Sequence, residues 1–136
     1  MKITWLIVLI SWSFSVAASP TTQVQEFIAA YNQHDIEKML EKTAQEVKWL
    51  YNINDKILIE TDNKDALRTA MIAHFKQQPN ARSQIKSSLA LGNTVAVVEE
   101  AFSNDGASSQ CALSIYQLKQ DLVQSVTYYA ATACEP

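Results

Sequence analysis

Two glutamates, Glu99 and Glu100, stand side by side in a segment that is otherwise apolar (TVAVVEEAF, Thr94–Phe102). Neighbouring side chains of an extended strand point to opposite faces, so one carboxylate must face each side of the sheet this strand joins. A carboxylate turned toward a covered face must be paired, hydrogen-bonded or protonated, and a protonated one is a general acid. The groups available to surround it are aromatic and polar: Tyr31, Trp49, Tyr51, His74, Ser114, Tyr116 and Tyr129. Such residues either fill a core or line a pocket for a small apolar molecule, whose walls are mostly apolar with a few polar groups.

Other chemistries lack their parts. His34 falls at a turn between helices, where a histidine is ordinarily solvated or capping. His74 shares an apolar helix face with Met71 and Phe75, the setting of a satisfied core imidazole. No cluster of His, Cys, Asp or Glu has metal-site spacing, and no cofactor is expected. Gly92 and Gly106 are the only glycines, which excludes a glycine-rich phosphate loop. Cys111 sits in a strand without a base in view, so packing is its ordinary role.

Three consecutive strands carry these groups: Thr94–Phe102, Ser109–Leu118 and Leu122–Thr132, with short polar breaks at Ser103–Ser108 and Gln120–Asp121. Strands joined this tightly must be antiparallel neighbours. Pairing Glu99 with Ala112 across the first break, and taking Gln120–Asp121 as a two-residue turn, puts Tyr129 on the Glu99 row. Val97, Ser114 and Thr127 then share a second row, and Val95, Tyr116 and Ser125 a third. The opposite face carries Cys111, Leu113, Ile115, Val126 and Tyr128, too apolar to leave wet without reason. A one-residue change of register would put Glu100 inside instead.

The chain before this meander supplies its cover. Thr22 can cap a helix from Gln23, with Val24, Phe27, Ile28 and Tyr31 on one stripe. Asp35 caps a second, short helix with Ile36, Met39 and Leu40 inward. Val47–Ile53 and Lys56–Glu60 form a hairpin around Asn54-Asp55. Asp62 or Asn63 caps a third helix reaching about Gln77, and Arg82–Leu91 is a further strand turned by Gly92-Asn93. The order ααββαββββ predicts an α+β fold: a curved antiparallel sheet of six strands with the three early helices on one face.

The chain of 136 residues opens with Lys2, an apolar run to Val16 and the small-residue pattern Val16-Ala17-Ala18. These are the parts of a cleavable secretory signal over residues 1–18, and the run is short of the roughly 20 residues of a membrane span. Residues 19–136 then form a single domain that is secreted or periplasmic, with no membrane contact after cleavage. Without Lys2, 10 basic residues face 14 acidic ones, and no basic cluster invites nucleic acid. An even cysteine count in an exported chain invites a disulfide between Cys111 and Cys134. The two-residue turn places Cys111 opposite Ala130, leaving four residues, about 13 Å if extended, so a bridge would need the tail to fold back.

The phrases FIAAYNQHDIEKML (Phe27–Leu40), LRTAMIAHF (Leu67–Phe75) and ALSIYQLKQDLVQSVTYY (Ala112–Tyr129), in this order, resemble a nuclear transport factor 2-like (SnoaL-like, cystatin-like cone) domain. The likeness covers nearly all of Val24–Tyr129. It implies a cone with helices on the concave face, a retained cavity and a sheet face that pairs with a second copy. The fold hosts isomerases, cyclases, dehydratases and binders alike, so it does not itself name a reaction. A steroid isomerase of this kind would need a tyrosine oxyanion donor, a carboxylate base and a protonated aspartic acid. Aligned on Asn32 and Asp35, those positions are Phe27, Tyr51 and Ser114, so that chemistry is not expected. Three readings follow. The domain binds a small apolar ligand; or it is an acid–base enzyme using an inward Glu with tyrosine donors; or it is a dimeric interaction module without a cavity.

Overall fold

The computed structural model describes Ser13, residues 16–103 and residues 108–135. Most of the expected leader, and the middle of the Ser103–Ser108 break, lie outside the described residues. The elements follow the expected order: α1 (Pro20–Asn32), α2 (Ile36–Glu41), β1 (Thr43–Ile53), β2 (Lys56–Thr61), α3 (Lys64–Gln77), β3 (Arg82–Leu91), β4 (Thr94–Phe102), β5 (Ser109–Lys119) and β6 (Leu122–Ala131).

Helix α1 starts earlier than expected at Gln23. Ser19, rather than Thr22, is the cap: its hydroxyl accepts from the Thr22 backbone N–H at 3.2 Å. Pro20 occupies the first turn, where its missing N–H is no loss. Asp35 caps α2 and Asn63 caps α3, each accepting from the N–H three residues on.

The six strands form one curved, unclosed sheet in the order β2-β1-β6-β5-β4-β3. All neighbours are antiparallel except β1 and β6, which run parallel. The long connection that parallel neighbours require is supplied by everything between β1 and β6. Asn54 and Asp55, and again Gln120 and Asp121, have positive φ, as two-residue hairpin turns demand. Helix α1 packs on β3, β4 and β6, and α3 on β1 and β2, so the helices cover the concave face. Between the layers Val24, Phe27, Met39, Leu67, Val95, Val97 and Tyr116 are almost wholly buried.

The meander departs from the expected register at one place. Glu99 pairs with Ala112, Val97 with Ser114 and Val95 with Tyr116, as anticipated. In the β5–β6 ladder, Leu118 pairs with Val123 but Gln117 pairs with Ser125, leaving Gln124 as an extra residue. Such a bulge flips the alternation beyond it. Tyr116 therefore faces Val126, Ser114 faces Tyr128 and Ala112 faces Ala130. Val126 and Tyr128 turn inward, and Tyr129 turns outward. The physical reason is visible in burial. Val123 and Val126 are both fully buried, and an uninterrupted strand would send these two to opposite faces. Burying each valine is worth about 1.5–3 kcal/mol, more than one interrupted ladder position costs.

The same shift brings Cys111 opposite Ala131, one residue nearer to Cys134 than the plain turn implies. The strand ends at Ala131, the tail folds back, and the two cysteines are joined with their Cα atoms 5.1 Å apart. The bridge lies on the face of the sheet away from the helices, because Cys111 alternates with inward Ala112.

Candidate functional site

A cavity of about 700 Å³ opens between the concave sheet face and helices α1 and α3. A module without a cavity would lack such a space, so its presence weighs toward the two ligand-based readings. The deep end is made by Phe27 and Tyr116, both almost fully buried, whose rings meet edge-on at 6.1 Å. One wall is aromatic and comes from the parallel pair. Alternation on β1 sends Trp49, Tyr51 and Ile53 inward, and register sets Tyr51 against Tyr128 on β6. The Tyr51 and Tyr128 rings stack with centroids 5.4 Å apart, and Trp49 lies 5.2 Å from Tyr128. Helices α1 and α3 contribute Tyr31, Met71 and His74 opposite this wall, while Glu60, Gln78 and Gln110 stand at the solvent end.

Glu99 is the inward glutamate, only 4% exposed, and it lines the cavity. Ser83 Oγ donates to its Oε1 at 2.8 Å, and the Tyr116 hydroxyl donates to its Oε2 at 3.3 Å. The Ser114 hydroxyl is buried beside it and favours the charged form, without reaching hydrogen-bond geometry. Burial outweighs these three hydroxyls and raises the Glu99 carboxyl above its ordinary value. Glu100, on the other face, has the opposite environment. Ser109 and Lys86 bond it, with Lys86 Nζ 3.0 Å away, and they hold its carboxyl below the ordinary value.

The other donors that the sequence offers the inward glutamate are the hydroxyls of Tyr129, Tyr51 and Tyr31, and Arg82 or Lys86 from the preceding strand. None of these bonds it. Lys86 serves Glu100, and the Arg82 guanidinium lies 4.2 Å over the Phe102 ring. No Lys or Arg lines the cavity among the described residues.

A second polar pair faces Glu99 from the helices. The Tyr31 hydroxyl and His74 Nε2 are 2.8 Å apart. Burial first, then the neighbouring Tyr51 and Glu99, push the Tyr31 phenol up to about 12. Burial lowers His74 despite the opposing pull of Glu60, so this imidazole stays neutral at pH 7. Burial and the Glu99 charge raise Tyr116 well above its ordinary value, and burial with Tyr116 does the same to Tyr128. The Tyr116 hydroxyl donates to Glu99, and the Tyr128 phenol stands beside it in the same electrostatic cluster. His34 stays outside this set. It donates from Nε2 to the Ala81 carbonyl at 2.7 Å and stacks on Phe75, an anchor rather than a cap.

Of the sequence candidates, Tyr31, Trp49, Tyr51, His74, Glu99 and Tyr116 line the cavity together. Ser114 is buried behind the lining, and Tyr129 stands on the outer face, 38% exposed, because of the Gln124 bulge. Tyr128, Phe27 and Ser83 belong to the lining and were not among the candidates. The signal for Tyr128 is the spacing of Val123 and Val126. For Ser83 it is alternation with Ile85, which pairs with Glu99. No group of three metal-ligating side chains occurs among the described residues.

A comparison with curated proteins found no match. Solved structures share the fold at low identity. A cystatin-fold protein from Novosphingobium aromaticivorans superposes with a TM-score of 0.72 at 19% identity, covering 83% of this chain and 99% of its own. A candidate ketosteroid isomerase from Kribbella flavida gives 0.68 at 15% identity, covering 86% and 81%. A candidate polyketide cyclase from Sinorhizobium meliloti gives 0.65 at 12% identity, covering 79% and 94%. Likeness at this level carries the nuclear transport factor 2-like cone and no activity. The sequence itself goes one step further: residues 24–125, from the first buried position of α1 to the strand that closes the cavity, match the SnoaL-like domain, and the chain belongs to that family.

Proposed function

We propose that this SnoaL-like domain binds a small, largely apolar molecule in its cone, with Glu99 as its buried carboxylate contact. The observation that carries this is a carboxylate 4% exposed in an open aromatic cavity, bonded only by neutral hydroxyls. A volume of about 700 Å³ falls within the range of small-molecule sites. Filled cores leave no such space, and structural carboxylates of this depth ordinarily have a cation.

A second reading is favoured by one specific observation. The raised carboxyl of Glu99 faces the Tyr31–His74 pair, so a proton held by one could serve a ligand atom lying between them. Acid–base catalysis of the isomerase, dehydratase or cyclase type would use Glu99 as the acid or base and Tyr31 or Tyr116 as donors. Isomerase and cyclase candidates among the structural neighbours support it as a class.

The test is binding of Nile red, a neutral apolar dye that brightens on leaving water. The domain should enhance its emission, and Ala112→Phe, which fills space beside Glu99, should abolish the enhancement while the unfolding transition is kept. Enhancement that survives Ala112→Phe would put the dye on the outer face and sink this reading.

Export belongs to the same proposal. The leader pattern ending at Ala18 and a disulfide, which persists in oxidising compartments, support a secreted or periplasmic domain. Intact mass of the exported protein should correspond to a chain starting at or near Ser19. A full-length chain found in the cytosol would contradict it.

A further inference from the structure

We infer that the cavity is selective for a ligand bearing a basic nitrogen: an apolar amine whose ammonium group pairs with Glu99 while its body lies along the Trp49–Tyr128 wall. This deepens the ligand-binding reading and rests on it.

The first ground is a charge asymmetry across one sheet. Adjacent residues on β4 carry the same carboxylate, and the exposed one, Glu100, has Lys86 at 3.0 Å. The buried one, Glu99, where a missing counter-charge matters more, has Ser83 and Tyr116 and, among the described residues, no cation. Among the described residues, every titratable side chain facing it is acidic or neutral: Tyr31 from α1, Tyr51 from β1, Tyr116 from β5, Tyr128 from β6, and His74 from α3, whose burial keeps it uncharged. Glu60 at the solvent end adds a second carboxylate. A ligand carboxylate, phosphate or sulfate would enter a site with nothing to neutralise it. An ammonium would supply the charge that the protein withholds, with hydrogen bonds from nitrogen to carboxylate of the strong, charge-assisted kind.

The second ground is independent of the carboxylates. The rings of Trp49, Tyr51 and Tyr128 are contiguous, with centroid separations of 5.2 and 5.4 Å, and they form the wall beside Glu99. Aromatic faces attract cations within about 6 Å, most strongly where water is excluded. They also give the apolar body of such a ligand its contact area. Depth, sign and wall chemistry thus select the same class, a monocation with an aromatic or alicyclic body. A neutral molecule of equal shape gains only the wall.

The experiment compares three near-isosteres by titration calorimetry against the cleaved, disulfide-bonded domain: naphthylmethylamine, naphthalenemethanol and naphthoate. The amine should bind about tenfold or more tightly than the alcohol, and naphthoate more weakly than either. In Glu99→Gln the ratio of amine to alcohol affinity should fall to about one. In Glu60→Gln it should fall by no more than about threefold, because that carboxylate is solvated. An alcohol that binds as tightly as the amine overturns the selectivity and leaves the apolar-ligand reading standing. A preference for the amine that persists unchanged in Glu99→Gln overturns the assignment to Glu99. If none of the three binds, the ligand reading falls and this inference falls with it.

Discussion

Replacing Glu99 by Gln should change how stability depends on pH more than it changes stability itself. In the folded protein burial raises the Glu99 carboxyl above its ordinary value, while in the unfolded chain it returns to that value. A group raised on folding contributes stability that is fully present below the unfolded value and is lost as pH rises through the folded one. Wild type should therefore weaken relative to the variant across the window from the ordinary carboxylate range up to the raised value. Each unit of upward shift corresponds to about 1.4 kcal/mol of that relative change. The Gln side chain keeps one oxygen, which can accept from Ser83 or from Tyr116 but not from both as the two carboxylate oxygens do, and its amide N–H group takes the place of the lost acceptor, a penalty of about 1–3 kcal/mol that does not vary with pH. At low pH the wild type should consequently be the more stable, and near neutrality the gap should close or reverse. Urea unfolding of both proteins at intervals between pH 4 and 8 measures this directly. The lowered carboxyls of Glu37 and Glu100 are common to both and cancel in the difference. A difference that stays constant over the whole range would mean that Glu99 titrates normally, and the account of the site would fail.

Removing the disulfide with Cys111→Ala and Cys134→Ala releases a loop of sequence separation 23, which loop entropy values at about 3.4 kcal/mol. The melting temperature should drop by roughly 10–15 °C, and a drop below about 3 °C would count against a bridge that constrains β5 and the tail. Tyr128→Ala should cost about 1–3 kcal/mol and shift the emission of Trp49, whereas Tyr129→Ala should leave that emission alone; the reverse outcome would restore the unbulged register. The outer sheet face, with Leu113 and Tyr129 each 38% exposed and Leu89 and Leu91 more so, is expected to pair with a second copy. Sedimentation should give a dimer at micromolar concentration and a monomer for Leu113→Glu, and a wild-type monomer would refute it.

What was legible in the residues was whatever depends on short-range pattern. Turn pairs with positive φ, the Asp35 and Asn63 caps and the apolar stripe of α1 all act within a few residues, and each appears where its chemistry places it. Pairing between distant strands is another matter. That β1 runs beside β6 depends on which edges remain after α3 and the meander have packed, and no local feature of Thr43–Ile53 states it. The early start of α1 was legible in principle, since Ser19-Pro20 is a stronger opening than Thr22.

The site shows how one local detail can govern a distant one. Alternation guarantees that Glu99 and Glu100 part company, and pairing with Ala112 decides that Glu99 goes inside. From there the same chemical group acquires opposite character: Lys86 and Ser109 hold one carboxyl down, while burial lifts the other. The aromatic wall facing Glu99 is then set by Gln124, one extra residue in a strand that reads as regular. Its bulge lets Val123 and Val126 both reach the core, and in doing so selects Tyr128 over Tyr129 as the hydroxyl behind Tyr116. Aromatic content alone does not distinguish those two tyrosines. Only the demand to bury both valines does, so the composition of the pocket wall follows from core packing at Val123 and Val126, earlier in the same strand, rather than from any preference of the tyrosines themselves.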